Sequence, residues 1–262
     1  MKLGQEFRIV KTNLGRESSK LWRKFRAPAG MKELPPKYPQ DFSEFSKQLL
    51  EQVRPCTMTS PERIITLEYA VRYLVKANIP GDLVETGVGA GGSMMAAAYT
   101  LLELHAGERD LYLYDTYAGM ATPSDRDISI LGKPAMRKYA RKVKDGECTW
   151  HNYPIELVRD NMLKTGYDES RIKLVKGLVQ DTLPGHGSSS IALLRLDTNL
   201  YESTCCEMEE LFPKLSVGGV FIVDDYNRWI GQREAIDEYF DKHNINMLLT
   251  RIDDHAVQGT KQ

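Results

Sequence analysis

Beyond about residue 40 the chain alternates two kinds of apolar spacing. "SEFSKQLLEQV" and "SPERIITLEYAVRYLVKAN" place apolar residues three and four apart, and the second opens with Ser60 and Pro61, a helix-start signal. Short continuous apolar runs then recur: "DLVET", "LYLYD", "IKLVKG", "IALLRLD" and "GVFIVDD". Runs without alternation suit parallel strands buried on both faces. Helical spacing fills Gly91–His105, Pro154–Gly166, Tyr201–Lys214 and Ile230–His243 between several of them. With "NMLLTRI" and "HAVQGT" as a terminal strand pair, the pattern predicts an α/β fold with a doubly wound, mostly parallel, seven-stranded sheet. The stretch 118–153 fits neither spacing and is too long for a plain connection, so it is expected to be a lid or substrate loop.

The organisation read from this pattern is a basic N-terminal arm over 1–40 and one domain over 41–262 with a helical lead-in at 41–80. In the arm Lys2, Arg8, Lys11, Arg16, Lys20, Arg23, Lys24 and Arg26 face only Glu6 and Glu17. Such a segment is most often a solvated tail or a homo-oligomer contact, and less often a membrane-surface or acidic-partner contact. The whole chain has 35 basic and 36 acidic residues for a net charge of −1, so no global field favours nucleic acid. No run approaches the ~18 apolar residues of a membrane span. The N-terminus lacks a secretory apolar core. Cys56, Cys148, Cys205 and Cys206 have neither disulfide nor zinc spacing, and a cytoplasmic protein is expected.

Candidate chemistry lies in the acids that end the apolar runs. Glu85, Asp115, Asp197 and the pair Asp224–Asp225 close four of them, and Asp181 follows the remaining one in "KGLVQDTLP". Ligands of such sheets bind outside the carboxyl ends of the strands, and an acid there costs desolvation unless it has a partner. Helix capping accounts for one or two of the set. In "GDLVETGVGAGGSMMAAA", Gly87, Gly89 and Gly92 satisfy G-x-G-x-x-G, a weak dinucleotide signal by itself. Glu85, two residues before Gly87, would repel a pyrophosphate. S-adenosylmethionine carries a sulfonium and an ammonium and no phosphate, so Glu85 favours it over NAD. Asp115 suits the ribose of either. An NAD-dependent oxidoreductase stays as the alternative.

Asp197 in "LLRLDTNLYEST" and Asp224–Asp225 in "GGVFIVDDYNRW" are expected to converge on neighbouring strand tops. Three unpaired carboxylates repel, and a hard cation such as Mg²⁺ relieves that repulsion. It would also bind an acceptor hydroxyl and lower its pKa. The competing reading caps the next segment with Asp225 and pairs Asp197 with a buried Arg195.

These residues bring out a resemblance. "TMTSPERI", "PGDLVETGVGAGGS", "YDTYAGM", "VKGLVQDTLP", "ALLRLDTNLYEST", "FPKLSVGGVFIVDDY" and "AIDEY" run in order from about residue 57 to 239. As a set they resemble the macrocin/mycinamicin/novobiocin O-methyltransferase family, which methylates sugar hydroxyls. The resemblance implies a class I methyltransferase fold, S-adenosylmethionine as donor, a small-molecule sugar hydroxyl as acceptor, and Mg²⁺ on Asp197, Asp224 and Asp225. It further implies cofactor contacts at Met58 and Thr59, at Glu85 and Gly87, at Asp115, and at Gln180 and Asp181. One departure matters: the family pattern R-[ML]-D-x-D ends here in Asn199. An amide does not accept a proton near neutral pH, so Asp197 is assigned as metal ligand and base, and Asn199 as a hydrogen-bonding partner of the acceptor. A catalytically impaired cofactor-binding or scaffold protein is the alternative that Asn199 raises. Elsewhere the plain readings come first. His151, in the presumed lid, could be a second base, but a lone loop histidine is more often solvated. Tyr117, Trp150, Tyr226 and Trp229 could stack against a sugar or the adenine, but are at least as often hydrophobic caps. Glu207, Glu209 and Glu210 form a solvated helix face, and Cys205 and Cys206 are packing positions.

Overall fold

The computed structural model describes residues 38–262 except residue 186, so the basic stretch up to residue 37 lies outside the described residues. Two helices precede the sheet, α1 (Glu44–Val53) and α2 (Pro61–Lys76), with a 3₁₀ turn at Arg54–Cys56 between them. The expected start signal of α2 is real: the Ser60 hydroxyl accepts the Arg63 amide at 3.3 Å and Pro61 occupies the first helical position. Ile64, Ile65, Leu67, Val71 and Leu74 are its buried face, set at helical spacing.

The strands and helices then follow as β1 (Asp82–Thr86), α3 (Gly92–Glu103), β2 (Leu111–Asp115), α4 (Ala135–Lys142), β3 (Val143–Lys144), β4 (Glu147–Cys148), α5 (Ile155–Leu163), β5 (Ile172–Lys176) and α6 (Val179–Thr182). After them come β6 (Ile191–Leu196), α7 (Tyr201–Glu210), β7 (Leu215–Val223), α8 (Ile230–Lys242), β8 (Thr250–Arg251) and β9 (Val257–Thr260). Seven strands form one sheet in the order β5-β2-β1-β6-β7-β9-β8. The first five are parallel, whereas β9 runs antiparallel to both β7 and β8. This is the class I methyltransferase arrangement. Chain order reverses between β1 and β6, which opens a crevice at their carboxyl ends.

Burial follows position in the sheet. All six residues of β6 are buried, as are four of the five in β1. "IKLVK" departs from expectation: β5 is an edge strand and none of its residues is fully buried, although its apolar run matched the central ones. Helix α3 is apolar around most of its circumference because it lies inside, with Met94 to Ala98 all buried.

The stretch 118–153 is folded, with α4 and the β3–β4 hairpin inside it. Asp127, fully buried, fixes it to the rest. Its carboxylate accepts the Ser124 amide at 2.6 Å and the Tyr201 amide at 2.7 Å, so it caps α7 from outside that helix. Arg126 pairs with Glu234 and Glu238 on α8, and Ile128 and Ile130 exchange backbone hydrogen bonds with Ile230 and Arg228.

Helix α7 brings a correction. Glu207, read as part of a solvated face, is fully buried, while Glu209 is exposed. The Thr198 and Thr86 hydroxyls stand beside its carboxyl, and none of these groups completes a well-formed hydrogen bond. Burial pushes Glu207 up to about 8. A raised acid binds its proton more tightly in the folded chain, so its stability is fully present below the unfolded value near 4.5 and is lost as pH rises towards 8. The loss is about 1.4 kcal/mol per pH unit across that window. Glu207→Gln, uncharged throughout, is therefore expected to melt with wild type at pH 4.5 and several degrees higher at pH 9. Parallel melting curves across pH would disprove a neutral buried Glu207.

Candidate active site

The glycine turn after β1 is shaped by packing. A Cβ on Gly87, whose φ is +78°, would strike the Asp197 carbonyl and lie 2.8 Å from the Thr198 amide nitrogen. A Cβ on Gly92 would lie 2.6 Å from Thr57 Cβ and 2.7 Å from the Cys56 carbonyl oxygen. The first glycine thus lets β1 approach the end of β6, and the third lets α3 press against the segment that carries Met58 and Thr59. Gly89 has only the Tyr153 ring at 4.0 Å.

What the turn's amides do is more telling. Val88 and Gly89 donate to Asp115 Oδ2 at 2.8 and 3.2 Å, and the Tyr117 amide donates to Oδ1 at 2.9 Å. In a dinucleotide site such amides face the pyrophosphate. Here a carboxylate of the protein holds them.

A cleft of about 420 Å³ lies across the carboxyl ends of the strands. Met58, Thr59, Gly87, Asp115, Asp197 and Asn199 line it, together with Asp224 and Asp225. Backbone bonds extend the sheet by one residue to place two of these acids: the Asp197 amide donates to the Thr86 carbonyl at 2.8 Å and the Asp224 amide to that of Leu196 at 3.0 Å, with Asp225 following directly. Gln180 and Asp181 are exposed on α6 outside this lining, and Gly177, Leu178 and Val179 take their place at the cleft. Glu85 is fully buried beneath the floor.

The acids do not stand unpaired as the sequence reading assumed. Buried Arg195 donates to Glu85, to Asp197 Oδ2 at 3.0 Å and to Asp224. Arg63, from the first turn of α2, donates to the other Asp224 oxygen and lies 3.6 Å from Asp225. It also holds Asp253, in the β8–β9 turn, at 2.7 Å. The Arg195 pairing of the competing reading is therefore present, although it extends well beyond Asp197. Among the described residues no three acidic, histidine or cysteine side chains gather at metal-binding spacing.

Charge balance explains the titration of the floor. Five carboxylates (Glu85, Asp197, Asp224, Asp225 and Asp253) share two largely buried guanidiniums, with Arg228 4.0 Å from Asp225. Burial raises Glu85 to about 7 against the pull of Arg195. Burial and the Asp224 charge likewise hold Asp197 well above the usual carboxylate range, and the same two causes raise Asp225. Asn199 has a left-handed φ of 71°, a conformation Asn and Asp tolerate, and its buried Oδ1 has no partner.

A model of the macrocin-O-methyltransferase (TylF) family matches residues 52–261. The chain belongs to the macrocin-O-methyltransferase family. Among curated relatives, a tetracenomycin rhamnosyl 4'-O-methyltransferase of Streptomyces olivaceus is 32% identical over 207 residues, covering 77% of this chain and 74% of the relative. Demethyldecarbamoylnovobiocin O-methyltransferase of Streptomyces niveus is 32% identical over 201 residues, with the same coverage of both chains. The solved structure of the O-methyltransferase NovP superposes with a TM-score of 0.69 at 29% identity, over 79% of this chain and 82% of that one. The calicheamicin methyltransferase CalS11, with a TM-score of 0.55 at 17% identity over 86% and 94%, shares the fold.

For this macrocin-O-methyltransferase family member, the sequence reading found the acids and missed two of the groups that hold them. Arg63 lies three residues after Ser60 inside an ordinary amphipathic helix, and Asp253 lies in a turn. Only the fold brings these residues to Asp224. His151, read as solvated, is half-buried and lines the cleft, as do Trp150 and Trp229.

Proposed function

We propose that this O-methyltransferase transfers a methyl group from S-adenosylmethionine to a sugar hydroxyl, with Mg²⁺ as cofactor. The observation that carries the donor is the Asp115 carboxylate on the Val88 and Gly89 amides, which leaves those amides no phosphate to seat and keeps an acid for ribose hydroxyls. A sugar hydroxyl as acceptor follows the named reaction of the Streptomyces olivaceus relative, whose substrate carries a rhamnosyl group. Gln180 and Asp181 would reach the donor only by movement of α6, so Leu178 and Val179 are the nearer adenine contacts in this reading.

Asp197 takes the proton from the acceptor hydroxyl. Its carboxylate lines the cleft, and its raised pKa makes it a stronger base near neutral pH than an ordinary aspartate. The Asn199 amide, with an unused oxygen, orients the acceptor. The acceptor oxygen then attacks the methyl carbon in line with the breaking carbon–sulfur bond, and S-adenosylhomocysteine leaves.

The residues present offer a magnesium ion oxygen donors and surplus negative charge, although Asp197, Asp224 and Asp225 do not stand at metal-binding spacing in this structure, so binding it would require their side chains to move. All candidate ligands are oxygens, Asp225 Oδ1 has no hydrogen bond, and the floor keeps a surplus of carboxylates over guanidiniums. Asp197, Asp224 and Asp225 would hold it, with Asp224 sharing oxygens that also accept from arginine. When bound it would supply Lewis acidity to the acceptor oxygen.

Calorimetric titration with S-adenosylhomocysteine, with NAD in parallel, each in Mg²⁺ and in EDTA, tests this reading. Micromolar binding of S-adenosylhomocysteine and no heat from NAD is expected, together with a Mg²⁺ heat that disappears in Asp225→Ala. Binding of NAD alone would overturn the donor, and an unchanged Mg²⁺ heat in that variant would remove the metal from these aspartates.

A further inference from the structure

The cleft has a second chemistry at its outer edge, opposite in sign to the floor. Lys138 on α4 lines it with no carboxylate within 4.0 Å among the described residues, and its Nζ sits 4.1 Å from the centre of the Trp150 ring. Arg228, also at the cleft, is about half exposed, and among the described residues its approach to a carboxylate is the long 4.0 Å one to Asp225. Lys142 on the same helix adds its field to both Lys138 and His151. Trp150 is 5% exposed, yet its indole N–H has no acceptor. It is one of several polar groups of the cleft lining left without a partner, and the one donor beside Lys138 among them. Trp229 closes the wall with its ring centre 6.2 Å from that of Trp150.

Lys138 does not pair with the floor carboxylates, and Arg228 meets Asp225 alone among them, at 4.0 Å. Arg63 and Arg195 already make the close contacts to Asp197, Asp224 and Asp253, while Lys138 rests on an aromatic face. The neighbours of Lys138 include Arg228 and Lys142, so the rim concentrates like charge, with Asp225 the acid bearing on it among the described residues. Like charges gathered without partners at the mouth of a cleft attract an anion. Burial, and after it the Lys138, Arg228 and Lys142 charges, lower His151 to about 4, which leaves it a neutral imidazole with one donor and one acceptor at neutral pH.

We infer that Lys138, Arg228 and the Trp150 indole form an acceptor subsite for an anionic group, so that the preferred acceptor is a saccharide bearing a carboxylate or phosphate besides the hydroxyl to be methylated. The hydroxyl lies towards Asp197, and the sugar ring rests against the Trp150–Trp229 wall. This rests on the sugar-methylation reading above and names the substrate class for the same site.

The test is equilibrium binding of glucuronate, glucose 6-phosphate and glucose to the full chain saturated with S-adenosylhomocysteine and Mg²⁺, followed by Trp fluorescence and by calorimetry. Both anionic sugars, or one of them, are expected to bind at least about tenfold more tightly than glucose, a difference of about 1.4 kcal/mol. A preference for glucuronate or for glucose 6-phosphate identifies carboxylate or phosphate as the natural group. Lys138→Glu, at an exposed position, is expected to abolish the preference and Lys138→Gln to reduce it, with S-adenosylhomocysteine affinity unchanged in both. Equal binding of the three sugars, or a preference that survives Lys138→Glu, would overturn the inference. So would a loss of S-adenosylhomocysteine affinity in Lys138→Glu, because the cations would then serve the donor's own carboxylate. Failure of wild type to bind S-adenosylhomocysteine at all would instead defeat the donor reading.

Discussion

Replacing Asp197 by Asn is expected to lower kcat by about a thousandfold, within the range assigned to a positioned general base. Binding of S-adenosylhomocysteine should persist, because the substitution keeps the size of the side chain and an oxygen for the 3.0 Å contact from Arg195. The variant loses the one property an amide lacks, the capacity to take a proton. A second readout separates this role from simple damage to the floor. A base must be ionised to work, and burial with the Asp224 charge holds the Asp197 carboxyl above its usual range. In wild type kcat/KM should therefore fall as pH drops through that raised value, and Asp197→Asn should lack this acidic limb. A variant that keeps wild-type turnover and the same limb would move the base to another cleft residue, with Asp225 and His151 next in line by position.

The contrast between what the sequence disclosed and what it hid has a physical cause. Strands β1, β2 and β6 were legible almost to the residue, because their apolar runs end abruptly in an acid or a glycine and because buried parallel strands need unbroken apolar stretches. The acids at those ends were legible for the same reason: a carboxylate directly after a buried run has few structural uses. Edge and centre were not distinguished. "IKLVK" carries the same local signal as "LYLYD", and only its place beyond β2 leaves it half-buried. The partners of the acids were hidden because Arg63 reaches Asp224 across 161 positions of sequence and Asp253 reaches Arg63 across 190. Glu207 shows the limit most clearly. Three glutamates within four positions read as a wet face, yet helix α7 turns one of them against Thr86 and Thr198 at the ends of β1 and β6. Periodicity assigns the helix and leaves its rotation about its axis to the packing of its neighbours.

Arg195→Met should have the largest effect on stability. Arg195 is 3% exposed and is shared by Glu85, Asp197 and Asp224, so its loss leaves carboxylates buried without their counter-charge. Breaking a buried pair by removing one partner costs about 3–5 kcal/mol. At about 2–4 °C per kcal/mol for a domain of this size, the melting temperature should fall by roughly 10 °C or more. The sign of the pH response identifies the cause. Glu85 already sits at about 7 with Arg195 present, and removing the cation raises it further. An acid whose folded pKa is raised contributes stability at pH values below its unfolded pKa and loses it as pH rises, so the deficit of Arg195→Met should be small near pH 4.5 and grow towards pH 8. Adding Glu85→Gln should recover part of the loss at pH 8 and little of it at pH 4.5, because it removes the charge stranded most deeply. If Arg195→Met instead melts with wild type at pH 8, the floor is not held by this guanidinium. The acids would then carry protons, and the surplus negative charge on which the magnesium proposal rests would disappear with it.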